Sequence, residues 1–342
     1  MEEIWTSLRT ETRPLLIYGT GNGADKIIDE LNRLEIKISG VFASSGFVRN
    51  RTFRDFPVLS LEEAEKEFGD FRALLSFGSN RPEVLDNIRY LIEKHHLRAP
   101  EVPVCDCEIF NLEYAKKHAD ELYKAHSLLC DEQSKKVFEQ AVLYKLDGDV
   151  NRLFDCETEE DEAFENLLKL KSGDSFLDLG AYNGDTVCDF ARRVGIVGDI
   201  TAVEPDPKSY AKLLKNTSAL KVDALNAAVS DNCGTIPFSF RASRGSVAGG
   251  EKEIPCITID ELCKEKTFDY IKFDVEGKEA DAILGGVETI RKHKPKMLVS
   301  AYHRSDDYFK IPLLIHSINP DYKIYMRHYP YIPAWDTNFY FV

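Results

Sequence analysis

The chain has 342 residues, 58 acidic and 44 basic, for a formal charge of −14. Such a charge repels phosphate backbones and anionic lipid heads unless basic residues cluster, and no such cluster stands in the sequence, so neither nucleic acid nor a membrane is an expected partner. No apolar run approaches the roughly 18 to 20 residues of a membrane span, and MEEIWTSLRT is acidic and polar where a secretory signal is basic and then apolar, so a cytoplasmic location is expected.

The length allows two cores, and two globular units joined by a helical segment are expected: residues 1–105, a connector over 106–163, and 164–342. The eight cysteines form no C-x-x-C pair and lack matching histidines, which points to reduced, buried thiols rather than a zinc site.

In the first unit an apolar run at 14–18 precedes Gly19-Thr-Gly21-Asn-Gly23-Ala24 and a helical pattern over 25–34. This is a weak G-x-G-x-x-A form of the dinucleotide fingerprint. The next strand, 36–42, is followed by Ala43-Ser44-Ser45-Gly46 and not by the acid that holds a ribose in NAD enzymes, which counts against NAD. A helix over 60–68 carries the Ser60/Glu63 capping-box pattern, 73–77 reads as a buried strand, and a helix follows over 81–94. The unit resembles the amino-terminal Rossmann-like domains attached to some sugar-modifying enzymes; a docking domain whose glycine turn holds nothing is the alternative. Residues 112–146 are helical in pattern, broken near Cys130-Asp131, and the acidic run 157–162 reads as a solvated helix start.

The second unit opens on Asp174–Asp206. A buried strand at 176–179 breaks at a glycine-bearing turn and enters an amphipathic helix over 186–194, so backbone N–H groups and a helix N-terminus face a ligand. The strand 200–203 then ends in Glu204, placed to accept hydrogen bonds from two ribose hydroxyls. A helix over 209–216, a strand over 224–229 and another over 234–241 follow. The glycine-rich 241–250, with Arg241 and Arg244, reads as a mobile loop. A helix from Asp260, a strand over 270–277, a helix over 278–293, a strand over 295–301 and two closing strands at 322–327 and 338–342 complete the pattern. The fold class is α/β: a doubly wound, Rossmann-like, mostly parallel sheet with an antiparallel last strand, preceded by the small α/β unit. In such a sheet a ligand lies beyond the carboxyl ends of the strands, where Asp178, Gly180, Glu204, Asp274, Glu276 and His303 fall together.

The runs FLDLGAYNGDT, AVEPD, ALNAAVSD, YIKFDVEGKEADAILGG and PKMLVSAYH resemble the FkbM family of S-adenosylmethionine-dependent methyltransferases over residues 174–303. The usual glycine-rich loop of that wider class has a glycine where Tyr182 stands. The resemblance implies a cofactor site made of Asp178, Gly180, Ala181, Tyr182, Asn183, Gly184 and Thr186 for the methionine portion. Glu204 and Pro205 serve the ribose on this reading, and Asn226, Ala227 and Ala228 border the adenine. It implies O-methyl transfer to a small molecule, a sugar, nucleotide-linked sugar or other polyhydroxylated metabolite. Asp274 and His303 are the candidate bases, with Lys272 and Glu276 placed on the same side by strand alternation. No metal is assigned, since nothing in the sequence fixes a geometry for an ion among Asp274, Glu276 and His303. A non-catalytic nucleotide- or nucleotide-sugar-binding protein is the other reading. The oligomeric state is not legible.

Overall fold

The computed structural model describes residues 2–48, 52–105, 107–159, 161–239, 247–248 and 252–342. Strands β1 (Leu15–Tyr18), β2 (Gly40–Phe42), β3 (Thr52–Phe53), β4 (Phe56–Leu59) and β5 (Arg72–Leu75) make the first sheet, in the order β3-β4-β2-β1-β5. It is parallel apart from β3. The next strands in the chain are β6 (Phe176–Leu179), β7 (Ile200–Val203), β8 (Val222–Leu225), β9 (Ala228–Val229), β10 (Gly234–Ser239), β11 (Val247–Ala248) and β12 (Lys252–Ile257). The last are β13 (Tyr270–Phe273), β14 (Lys296–Ser300), β15 (Ile324–His328) and β16 (Thr337–Phe341). Seven of them form the main sheet, β15-β16-β14-β13-β6-β7-β8, with β16 antiparallel to both its neighbours. A small sheet, β11-β10-β12-β9, stands beside it.

The main strands are short apolar runs because helices cover both faces of the sheet. Leu177, Leu179, Ile271 and Phe273 point to one face, toward Val137, Phe138 and Ala141 of the helix Glu132–Asp147 and toward Ile311 and Ile315 of the helix Asp307–Ile318. Phe176 and Tyr270 point to the other face, where they stack at 4.9 Å. Strand alternation puts Asp178 and Lys272 on this second face, and the parallel register of β6 and β13 pairs them directly. Two polar residues thus meet in the sheet, flanked on the outer strands by Ala202 of β7 and Leu298 of β14.

Several expected elements change shape. The strand expected over 36–42 is regular only at Gly40–Phe42. The one expected over 224–229 is two strands in different sheets, separated at Asn226-Ala227, where the Asn226 amide turns back to bond the Glu204 and Pro205 carbonyls. β13 stops at Phe273; Glu276 (φ +52°) and Gly277 (φ +87°) belong to a turn, so strand alternation does not position Glu276. The helix expected over 278–293 is two, Glu279–Leu284 and Val287–His293, because the chain leaves helical geometry at Gly286 (φ −121°, ψ 15°); the preceding Gly285 must stay bare, since a Cβ there would strike the Ser230 carbonyl. The helices Ile4–Arg9 and Asp307–Ile318 were not expected. The expected loop 241–250 lies outside the described residues except for β11.

The acidic run is not simply solvated. Arg327 of β15, 2% exposed, takes Glu162 through Nε (2.8 Å) and Asp131 through Nη2 (2.8 Å). Losing Arg327 leaves two partly exposed carboxylates without their cation, at a cost below the roughly 3–5 kcal/mol of a fully buried pair because solvent screens them. This cluster clamps the start of the helix Glu132–Asp147 to the main sheet. That helix also reaches the first sheet, where Tyr144 packs with Leu75 and Leu97. Among the described residues no helix is long and apolar enough to cross a membrane.

Candidate active site

The site forms where two turns cross. After β6, Gly180 (φ +81°) donates its N–H to the Val203 carbonyl at 2.9 Å, and a Cβ there would strike the Asp274 carbonyl. Only glycine permits both the conformation and the approach. Tyr182, also left-handed (φ +46°), donates its N–H to Glu204 Oε2 at 2.8 Å, and the Asp206 N–H donates to Oε1 at 2.8 Å. One carboxylate therefore ties the turns after β6 and β7 together. Glu204 is nearly buried, and burial pushes its carboxyl up to about 7 against the pull of those two donors.

A cavity of about 380 Å3 opens over these turns. Of the residues singled out in the sequence, Gly180, Tyr182, Thr186, Glu204, Pro205, Ala227, Ala228, Lys272, Asp274, Glu276 and His303 line it. Five others stand behind the wall. Asp178 is fully buried and does not face the cavity: its Oδ2 accepts from the Thr186 hydroxyl, and Lys272 Nζ lies 3.7 Å from Oδ1. Burial raises its pKa, with Lys272 and Thr186 opposing. Asp178, expected to hold the methionine portion, thus stands behind the wall and touches Thr186 and Lys272, which do line the cavity. Ala181 lies in the core. Asn183 faces away, its carbonyl accepting from Asn216 at 2.8 Å. Gly184 packs against Leu213 and Thr217, and Asn226 fastens the turn after Glu204.

The other end of the cavity is polar. Lys272 Nζ lies 3.4 Å from Asp274 Oδ2, and the Tyr302 hydroxyl donates to Oδ1 at 3.1 Å. His303 Nε2 is 3.5 Å from Asp274 Oδ1 and 3.8 Å from Glu276 Oε2, while Nδ1 is 3.0 Å from Glu279 Oε1. Burial disfavours charge on this imidazole, but Glu279, Asp274 and Glu276 outweigh it and raise its pKa to about 10. Burial works against the Asp274 carboxylate too, yet Lys272 and His303 hold its pKa below the usual range. Lys272 is likewise desolvated, and Asp274 and Asp178 keep it charged. The group is therefore a carboxylate between two cations at neutral pH. Among the described residues, Asp274, Glu279 and His303 each place a ligand atom within 4.8 Å of the others, the one group able to hold an ion; Glu279 stands where Glu276 was considered.

Glu279, at the start of the helix Glu279–Leu284, is not among the residues singled out in the sequence, yet it is 1% exposed and accepts from the Val275 N–H at 2.9 Å. Tyr302, next to His303, was within reach of strand-end reasoning. Asn80, Val104, Tyr331 and Trp335 also line the cavity, and no local pattern marks them.

Residues 178–331 match the family described as the methyltransferase FkbM domain. They are an FkbM methyltransferase domain. The fold is similar to that of methyltransferase FkbM from Methylobacillus flagellatus KT, with a TM-score of 0.74 at 20% identity, covering 97% of this chain and 90% of that one. That likeness establishes the fold over nearly the whole length, the first sheet included. Slighter likenesses are to fibrillarin from Aeropyrum pernix, solved with natively bound S-adenosyl-L-methionine (TM-score 0.33, 17% identity, 50% and 67% covered). Another is a SAM-dependent methyltransferase from Thiobacillus denitrificans solved with S-adenosyl-L-homocysteine (TM-score 0.25, 19% identity, 42% and 48% covered). No curated protein matches the chain. The cavity suits S-adenosylmethionine, the methyl donor that the resemblance to FkbM methyltransferases implies. Each Glu204 oxygen accepts one backbone N–H and keeps a lone pair for a hydroxyl, and Gly180 leaves the floor bare.

Proposed function

We propose that the protein transfers a methyl group to a hydroxyl oxygen of a sugar, nucleotide-linked sugar or other polyhydroxylated metabolite. The observation that carries this reading is the position of Asp274. The strand order β7-β6-β13 sets the Gly180 turn between Glu204 on one side and Asp274 on the other, so a donor whose ribose lies on Glu204 presents its methyl group toward Asp274. S-adenosylmethionine, when bound, supplies a methyl group on a cationic sulfur. Held by Glu204 and the Gly180 turn, it would give that methyl group to the acceptor oxygen and keep the bond's electron pair on sulfur, and Asp274 is the carboxylate that would accept the hydroxyl proton. Because charge is neutralised in the displacement, alignment contributes more than base strength, and a carboxylate of low pKa suffices. Lys272 and Tyr302 hold Asp274 from two sides. His303, considered from sequence as a base, is protonated here and serves on this reading to fix Asp274 and Glu276.

The division into 1–105, 106–163 and 164–342 belongs to the same reading, in which the first unit is a wall of the site and not a second cofactor site. A panel of sugars, nucleotide sugars, polyols and amines incubated with the protein and S-adenosylmethionine tests it. A mass gain of one methyl on a hydroxylated acceptor is expected; methylation confined to amines refutes it.

A further inference from the structure

We propose that Tyr331 and Trp335, held from below by the first unit, form the platform on which the acceptor lies, and that this acceptor is a neutral sugar-like ring. The inference rests on the O-methyl transfer reading and narrows its substrate.

The two rings lie on the chain between β15 and β16, stacked with centroids 5.8 Å apart and planes 27° apart, and both line the cavity. Two features fix them from the first unit. Ser79 and Ile332 exchange backbone hydrogen bonds of 2.8 and 3.0 Å. Gly78 lies under the rings, where a Cβ would come within 2.6 Å of Trp335 Cε3 and 2.8 Å of Tyr331 Cε1. Asn80 lines the same cavity. A sheet formed from residues 15–75 thus determines the attitude of an aromatic pair that follows residue 328. Aromatic faces accept the flat C–H face of a saturated ring while leaving its hydroxyls at the edge, and the polar group around Asp274 stands in the same cavity to meet such an edge.

Charge decides between a neutral acceptor and a nucleotide-linked one. Among the described residues the cavity is lined by Asp185, Glu204, Asp206, Asp274, Glu276 and Asp336, against Lys272, Lys278 and His303. The bases are committed: Lys272 to Asp178 and Asp274, Lys278 to Asp281 at 2.8 Å, and His303 to its carboxylates. No arginine lines the cavity among the described residues. A diphosphate is ordinarily met by lysines and arginines available to it, whereas an acidic cavity favours a cationic sulfonium donor and repels an anionic acceptor.

The test uses the full chain with two probe sets, methyl hexopyranosides and uridine-diphosphate hexoses. The unaltered protein is expected to methylate members of the first set with the higher kcat/KM. Trp335→Ala is expected to raise the acceptor KM on the order of 10- to 100-fold, the range of one lost ring contact, with the KM for S-adenosylmethionine unmoved and Trp335→Phe restoring most of the loss. Gly78→Ala is expected to act in the same direction from the first unit. Since Trp5 and Trp335 are the chain's two tryptophans, a Trp5→Phe protein reports on Trp335 alone. Its emission is expected to change when a methyl hexopyranoside is added with S-adenosylhomocysteine present. An acceptor KM within twofold of normal in both Trp335→Ala and Tyr331→Ala, or a preference for the diphosphate sugars, overturns the platform while leaving O-methyl transfer standing. Absence of transfer to any hydroxylated acceptor by the unaltered protein removes both.

Discussion

Replacing Glu204 by glutamine is expected to weaken S-adenosylmethionine binding by roughly 100-fold or more and, at the same time, to stabilise the cofactor-free protein at pH 8. The first effect follows from losing two hydroxyl bonds to a charged acceptor, each worth about 1.5–3 kcal/mol. The second follows from linkage. The folded pKa of Glu204 is about 7, above its ordinary value of 4.5, so the folded protein favours the protonated carboxyl. The resulting stability is present at low pH and is lost as pH rises through 7, where an ionised group must be kept in a buried place. At pH 8 that cost approaches about 3 kcal/mol. A neutral amide removes it but can satisfy only one of the Tyr182 and Asp206 N–H donors, leaving a net gain of about 1–2 kcal/mol that disappears toward pH 5. In the unaltered protein, cofactor affinity is expected to tighten between pH 6 and 8 as Glu204 ionises, and the glutamine variant to show no such change. Calorimetric binding and denaturant unfolding at pH 5 and 8 check both effects; binding that survives the substitution places the ribose elsewhere.

Asp274→Asn is expected to lower kcat by about 10²- to 10⁴-fold, the usual contribution of a positioned proton acceptor, while the Kd for S-adenosylmethionine stays within about threefold. Asparagine keeps the shape and the contact with Tyr302 but cannot take the proton. The pH profile separates this residue from Glu204. With Asp274 below the usual carboxylate range and His303 near 10, kcat is expected to be flat from pH 6 to 9, whereas kcat/KM for the cofactor rises through 7. Undiminished turnover in Asp274→Asn transfers proton acceptance to Glu276 or to solvent.

The parts of this site that were legible in sequence are those fixed by short range. β6 and β7 occupy the expected residues because a strand buried on both faces is a bounded apolar run, and Glu204 follows as the first polar residue beyond it. Asp178 was legible as important but not as buried. A strand-end acid looks the same whether it faces a ligand or a lysine on the adjoining strand, and only the register of β6 against β13 shows that it meets Lys272. Glu276 was assigned by alternation, which fails once the chain turns at φ +52°. The helix Asp307–Ile318 was hidden because apolar residues cover most of its surface, with only Lys310 and Ser317 exposed, and because it contains Pro312, so its amphipathic period is weak and its helical sequence interrupted. Gly78, Tyr331 and Trp335 were illegible for a different reason: the contact joins residues some 250 positions apart, and no local propensity encodes it.

The account depends most on where the cofactor lies, and a structure of the protein with S-adenosylhomocysteine bound tests this directly. The ribose hydroxyls are expected within hydrogen-bond distance of the Glu204 carboxylate, with the sulfur facing Asp274. An adenosyl group seated instead on the Gly19–Ala24 turn, or a ribose with no contact to Glu204, contradicts it.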